Sequence, residues 1–380
     1  MDATPTLLEK IGLIAADLAA DSAENDRRGR IAPRVFSELA KTGLLGLTVS
    51  RVHGGAGAGM RETAEVLRVL GKADPSVALI LSMHFIQHLI IARSEDWPRH
   101  LAQKLVRDAT GRVGLINALR VEPELGSPAR GGLPATVARR TAEGWRLTGH
   151  KIYSTGAPVL RWYLVWARTD EPDVRVGMFL VPAGLPGTRV VETWDHLGLR
   201  GSGSHDVVFD DVLFPFDHEV DVRQPQEWLK PDPIQGVAHP LLVAAIYDGV
   251  AQAARDWLLQ FLKTRAPSSL GAPLATLSRA QDIAGGIEAK LAVNARLIRT
   301  FARDFDDGIA VTPNEAAIVK LTVTNNAVSV VEDALSLSSN HGLSRTNPLE
   351  RHYRDVLCGR VHTPQDDSTR IAAGRAALGI

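Results

Sequence analysis

The hydrophobic period changes twice along this chain, and those two changes restrict its fold more than any single motif does. Leucines and isoleucines recur at helical spacing over 7–21 and again over 33–43, where Pro33 opens the run and Gly43 follows it. Residues 61–70, the apolar 77–92 run behind Asp74-Pro75-Ser76, and 98–109 complete an all-helical first third. Near Gly111 the pattern changes. Short β-type runs over 113–119, 137–147, 163–167, 176–181, 188–193 and 206–212, punctuated by glycine, proline and aspartate, predict a small antiparallel sheet that ends near Pro215. Residues 216–236 are rich in proline and charge and read as a crossing segment. The helical period returns over 241–263, 277–306, 314–337 behind Thr312-Pro313, 351–361 and 368–377, the signature of a bundle. The expected class is α+β: an N-terminal helical domain (1–112), a middle antiparallel β-domain (113–215), a connecting segment (216–236) and a C-terminal four-helix bundle (237–380).

Composition narrows the function classes. The chain has 380 residues, with 43 basic and 43 acidic side chains, so no basic excess points to nucleic acid and no acidic tail is present. The single cysteine, Cys358, excludes an internal disulfide framework and fits a reducing cytoplasm. Met1-Asp2-Ala3-Thr4 lacks the basic-then-apolar pattern of a signal peptide. The most apolar window, Val77 to Ala92, contains Ser82, His84, Gln87 and His88; it is too short and polar to span a bilayer and reads as a buried helix. The expectation is a soluble cytoplasmic protein without a membrane or nucleic-acid partner. No Cys/His or carboxylate cluster has metal-ligand spacing.

One stretch carries the first hint of chemistry. Gly149-His150-Lys151-Ile152-Tyr153-Ser154-Thr155-Gly156-Ala157 passes through an aromatic and two hydroxyls, turns at glycine, and enters the strand Trp162-Tyr163-Leu164-Val165-Trp166-Ala167. Hydroxyls beside a glycine let backbone and side chain approach a flat ligand closely.

Five further stretches, in order, carry a family resemblance. They are Leu39-Ala40-Lys41-Thr42-Gly43-Leu44-Leu45-Gly46-Leu47 and His53-Gly54-Gly55-Ala56-Gly57 in the helical third; Glu122-Pro123-Glu124-Leu125-Gly126-Ser127; Leu197-Gly198-Leu199-Arg200-Gly201-Ser202 with Val207-Val208-Phe209-Asp210-Asp211-Val212; and Pro348-Leu349-Glu350-Arg351 with Arg354-Asp355. Together with the domain order, these resemble the acyl-CoA dehydrogenase superfamily over nearly the whole chain. The resemblance implies a flavin between sheet and bundle, FAD first and FMN as the alternative. By position, Ala118, Leu119, Arg120, Val121, Gly126 and Ser127 would line the ring, with Tyr153, Ser154 and Thr155 on its other side near N5. A planar ring needs an apolar face and a few donors at its edge. Arg265 with Gly271, and Gln281, resemble the segment that reaches the pyrophosphate of a neighbouring subunit's cofactor, where a guanidinium fork suits phosphate. Gln365 falls in the active-site tail and is assigned to the cofactor as well. The family implies a homotetramer built through the bundle.

The catalytic base is where the chain departs from the dehydrogenases. Counting from Arg354-Asp355, the usual glutamate falls on Thr363; counting back from Ala244 and Gly249, the alternative glutamate falls on His239. Neither is a carboxylate, although Asp366 or Asp367 would serve if the count slips. The tail reads Arg360-Val361-His362-Thr363-Pro364-Gln365, and a histidine here resembles the flavin-dependent monooxygenase branch, including the dibenzothiophene-type oxygenases. That branch also carries a polar pair on the apolar helix, and His84 and His88 lie one turn apart on one face. The resemblance therefore implies a reduced-flavin monooxygenase working through a C4a-hydroperoxyflavin on a small organic substrate. His362 is the expected proton donor, with a pKa near neutrality, Ser154 a donor near N5, and His84 and His88 supporting groups. A flavin reductase would be its partner. Two other readings stand beside it: an acyl-CoA dehydrogenase that passes electrons to an electron-transfer flavoprotein, and a flavin-free binding protein of the same fold. His205, His341 and His352 read as structural or exposed.

Overall fold

The computed structural model describes residues 7–94, 97–125, 132–229 and 232–380. Five helices come first: α1 (Leu7–Arg28), α2 (Pro33–Lys41), α3 (Met60–Ala73), α4 (Pro75–Ile91) and α5 (Arg99–Gly111). The local signals that open them are visible. Pro75 stands at the first position of α4, and Asp74 caps it by accepting from Ser76 N–H (2.9 Å) and Val77 N–H (3.2 Å). Nearly every side chain of α4 is buried, as an all-round apolar helix requires. The N-terminus of α3 is capped from far along the chain. Asp306, at the end of the seventh helix, accepts from Met60 N–H (2.7 Å) and Arg61 N–H (2.9 Å). Asp306→Ala removes both acceptors, and about 1–2 kcal/mol of stability should go with them, measured as a lower denaturant midpoint.

Eight strands follow: β1 (Ile116–Leu119), β2 (Val137–Arg140), β3 (Trp145–Lys151), β4 (Trp162–Thr169), β5 (Val176–Pro182), β6 (Thr188–Val191), β7 (Asp206–Phe214) and β8 (Glu219–Arg223). Their order is β6-β7-β3-β2-β4-β5-β8, with β1 also beside β4. Most pairings are antiparallel, as expected, but β1 and β2 both run parallel to β4, sharing its edge between them. Two details differ from the sequence reading. The 137–147 run divides into β2 and β3 around a tight turn, where Thr141 N–H donates to Gly144 O at 2.9 Å. The 216–236 segment, expected only to cross, supplies the edge strand β8. Its alternation Glu219-Val220-Asp221-Val222-Arg223 is a half-buried strand that the neighbouring prolines obscure.

The remaining helices are α6 (Pro233–Thr264), α7 (Ser278–Asp306), α8 (Pro313–Ser338), the single turn α9 (Asn340–Leu343), α10 (Leu349–Val361) and α11 (Asp366–Leu378). Asp232 caps α6 through Gln235 N–H (2.8 Å), and Thr312 with Glu315 forms a capping box on α8. α6 is long and apolar enough to cross a membrane by length and composition, but most of that window is buried inside the fold. It lies against α3, α4 and α8, and two glycines allow the closest approach. A Cβ at Gly71 would sit 2.5 Å from Ile246 O, and one at Gly249 would sit 2.3 Å from Arg68 O, so the α3 and α6 backbones touch. One buried apolar cluster runs through both helical parts and the sheet.

Candidate active site between the sheet and the bundle

The Tyr153–Gly156 turn, after β3, is clamped onto residues 202–205. Ser154 N–H donates to His205 O (3.1 Å), Gly156 N–H to Ser202 O (2.9 Å), and the Thr155 hydroxyl meets Ser204 Oγ at 3.0 Å. Asn117 of β1 donates to Thr155 O at 3.0 Å, tying the turn to the strand expected to line the ring. Tyr153 takes a left-handed φ of 54°, strained for a residue with a Cβ, and its ring is 56 % exposed beside the stacked pair Trp194–His196. Ser154 Oγ is buried and has no partner. A buried hydroxyl without a partner is costly. The polar edge of a flat ring, with an exposed aromatic beside it, is a group that fits this turn. Ala118 is half-buried and Leu119 buried on β1, and Val121 O accepts from Ile152 N–H at 3.0 Å. Gly126 and Ser127 lie outside the described residues.

Beneath the turn lies a buried ion pair. Lys151 Nζ, at the end of β3, donates to Glu122 Oε1 (2.6 Å) and Trp166 O (2.5 Å). Glu122 also accepts from Ala135 N–H, Thr136 N–H and the Thr136 hydroxyl. Burial raises the Glu122 carboxyl, and the Lys151 ammonium and these donors outweigh it and bring it below its usual value. Burial brings Lys151 down to about 8 against the pull of Glu122. Glu122, read from the sequence as part of a flavin-side loop, thus anchors that loop to the turn.

The two positions expected to hold the family's base converge. His239 on α6 is hydrogen-bonded to the backbone of Thr363, and the charge of His239 acts in turn on His362. His362 Nδ1 meets Tyr247 OH at 2.8 Å. Burial holds the Tyr247 phenol well above its usual pKa, so its proton stays on and can be donated to Nδ1, leaving the imidazole N–H on Nε2. Burial also pushes His362 down to about 3, with His239 and Lys320 adding to the shift. This corrects the expectation of a near-neutral pKa: the His362 imidazole is uncharged at neutral pH. Of the two spare carboxylates, Asp366 accepts from Asn325 through Oδ2 (2.8 Å), while its buried Oδ1 has no hydrogen-bond partner and lies 3.7 Å from the buried Lys320, which donates to Pro364 O (3.0 Å). Asp367 is exposed and accepts from Ser368 N–H at the start of α11.

The α4 histidines differ from one another. His84 is fully buried and satisfied at both nitrogens: Nε2 lies 2.8 Å from Leu45 O, and Nδ1 accepts from Ile116 N–H at 3.3 Å. It pins α4 to β1 and to the 44–46 turn, and both ring nitrogens are engaged with backbone groups. His88 packs edge-on against it, and neither of its buried ring nitrogens has a partner. His205 is structural, since its Nδ1 accepts from Thr193 and Trp194 N–H. Arg265 and Gln281 are exposed at the α6–α7 connection, where Gln281 Nε2 donates to Ala275 O, and Gln365 precedes α11 and accepts from Thr369. Tyr247, Lys320 and Asn117 were not singled out from the sequence. The available signal was a polar side chain inside an otherwise apolar helix run, which Tyr247 and Lys320 both are.

Sequence profiles for the N-terminal, middle and C-terminal domains of acyl-CoA dehydrogenase match residues 12–97, 120–212 and 240–377. The putative acyl-CoA dehydrogenase YdbM of Bacillus subtilis is 32% identical over 95% of this chain and 93% of its own length. The L-evernosamine nitrososynthase of a Micromonospora species is 29% identical over 99% of this chain and 90% of its own. The solved structure of KijD3 in complex with FMN and dTDP-3-amino-2,3,6-trideoxy-4-keto-3-methyl-D-glucose superimposes with a TM-score of 0.84 at 27% identity, over 100% of this chain and 96% of that one. The chain belongs to the acyl-CoA dehydrogenase family, and with it to the oxidoreductases.

Proposed function

We propose that this protein is a reduced-flavin-dependent monooxygenase acting on a small organic substrate, with FAD or FMN held against the Tyr153–Thr155 turn. The observation that carries the reading is the set of side chains at the tail. At the two positions where a dehydrogenase carries its carboxylate, this chain has His239 and Thr363, with His362 beside Thr363, and Asp366, three residues further on, is held at one oxygen by Asn325. An imidazole that stays uncharged cannot take the place of a carboxylate that removes an α-proton, but it can hold an oxygen atom by hydrogen bonding. The flavin, reduced by a separate reductase, would supply the electrons that activate dioxygen, one atom going to substrate and the other leaving as water. Ser154 Oγ would donate to the ring edge, Tyr153 and Leu119 would pack on the ring, and His362 Nε2–H would hold the oxygen being transferred. The FMN of the KijD3 complex supports FMN as cofactor, and the family supports FAD. Arg265 and Gln281, exposed in one protomer, fit a role toward a neighbouring subunit's cofactor in a homotetramer.

Dehydrogenation is the second reading, favoured by the likeness to YdbM. One experiment separates the two. Protein supplied with FMN or FAD, NADH and a flavin reductase should bind the reduced flavin and consume oxygen, and anaerobic butyryl-CoA should leave the oxidised flavin spectrum unchanged. Bleaching of the bound flavin by butyryl-CoA without oxygen would replace the oxygenase reading with the dehydrogenase one.

A further inference from the structure

Arg120 stands directly after β1, where the sheet faces the bundle, and its surroundings do not account for it. Its Nε is buried without a hydrogen-bond partner, and no carboxylate of the described residues lies within ion-pairing distance. Two carboxylates act on it at longer range, Asp232 and Asp221, and both are engaged elsewhere. Asp232 caps α6 through Gln235 N–H, and Asp221 is paired with Arg223, Nε to Oδ1 at 2.5 Å. The guanidinium lies 5.7 Å from the centroid of the Trp166 ring. Trp166 is buried, and its Nε1–H also has no partner. Its ring is fixed by Trp228, edge to face at 4.6 Å, and Trp228 is itself anchored by donating to Val176 O at 2.6 Å. Two neighbouring side chains, one of them charged, therefore each carry a buried N–H with no acceptor. The charge of Arg120 also bears on His239, so the two side chains are near one another. Arg120 is half-buried, and a buried guanidinium N–H left without an acceptor is costly. An oxyanion supplied from outside would satisfy both donors, and the planar fork of arginine suits a carboxylate or phosphate.

We propose that Arg120 and Trp166 form a subsite for an anionic group, carboxylate or phosphate, carried by the substrate. This rests on the oxygenase reading for what the substrate undergoes, but not for its binding. The test is calorimetric titration of the protein, with and without FMN, using benzoate, phenyl phosphate and the neutral isostere benzamide. At least one anion should bind saturably in the millimolar range or tighter, and benzamide should bind at least tenfold more weakly; which anion binds better distinguishes carboxylate from phosphate. Arg120→Met should lose roughly 10- to 100-fold in that affinity, and Trp166→Phe, which keeps an aromatic ring but removes the N–H, several-fold. Arg120→Lys, which keeps the charge but not the fork, carries the test if the methionine variant does not fold, and should lose intermediate affinity. Equal binding of benzamide, undiminished affinity in a folded Arg120 variant, or no saturable binding of either anion would overturn the subsite. The parallel FMN titration reports on the cofactor separately: flavin binding without anion binding sinks only the subsite, and anion binding without flavin sinks only the oxygenase reading.

Discussion

Glu122→Ala should lower the stability of the chain by about 3–5 kcal/mol, the cost of leaving one member of a buried ion pair without its partner. The Lys151 ammonium would keep only Trp166 O, in a place with no access to water, and Ala135 N–H, Thr136 N–H and the Thr136 hydroxyl would lose their acceptor. Each is a separate desolvation cost. The double variant Glu122→Gln/Lys151→Met tells charge from shape. Glutamine still presents an oxygen to Thr136 and Ala135, and methionine fills the lysine's volume without a charge, so at least half of the loss should return. Denaturant midpoints of the two variants and the wild type measure this. A double variant no better than Glu122→Ala would mean that the pair's charges matter less than the acceptors. The functional readout is flavin affinity. Glu122 opens the loop toward Gly126 and Lys151 leads into Tyr153–Thr155, so the single variant should weaken flavin binding even where it remains folded.

The helices were legible because their signals are local. Asp74-Pro75 opens α4 and Thr312-Pro313 opens α8, and in each the cap and the apolar period fall within a few residues of one another. The Tyr153–Gly156 turn was legible for the same reason. What escaped was set by partners distant in sequence. His84 reads as a polar residue on an apolar face, yet its two partners are the backbone carbonyl of Leu45 and the backbone N–H of Ile116, and no side-chain pattern announces a carbonyl. Lys320 is invisible as a tail anchor because its partner is Pro364 O, brought near by the packing of α8 under the tail. The pKa of His362 was misjudged because a histidine's charge depends on water, and neither burial nor the nearby Lys320 and His239 can be read from a motif. Arg120 falls in the 118–121 stretch expected to line the ring, but no local pattern shows that its Nε lacks a partner.

His362→Ala should leave flavin binding close to wild type while product formation falls on the order of 100-fold, the usual loss when one donor is removed from a developing oxyanion. Oxygen use should continue and appear as hydrogen peroxide, because nothing then holds the oxygen in position for transfer. Tyr247→Phe is the sharper probe. It leaves the imidazole in place and removes only the group that can fix its proton on Nε2, so it should give a smaller loss of coupling, roughly tenfold for a single hydrogen bond in a buried site. The pH dependence follows from the same geometry. Burial holds His362 at about 3, below its ordinary value of 6.5, so the imidazole is neutral throughout pH 5–8, and the wild-type coupling ratio should be flat across that range. A limb between pH 5 and 8 that vanishes in His362→Ala would mean that the ring is charged in the working enzyme and donates as an imidazolium. A peroxide yield unchanged in both variants would remove His362 and Tyr247 from the chemistry and turn the search to other unpartnered polar groups such as Ser154 Oγ and the ring nitrogens of His88.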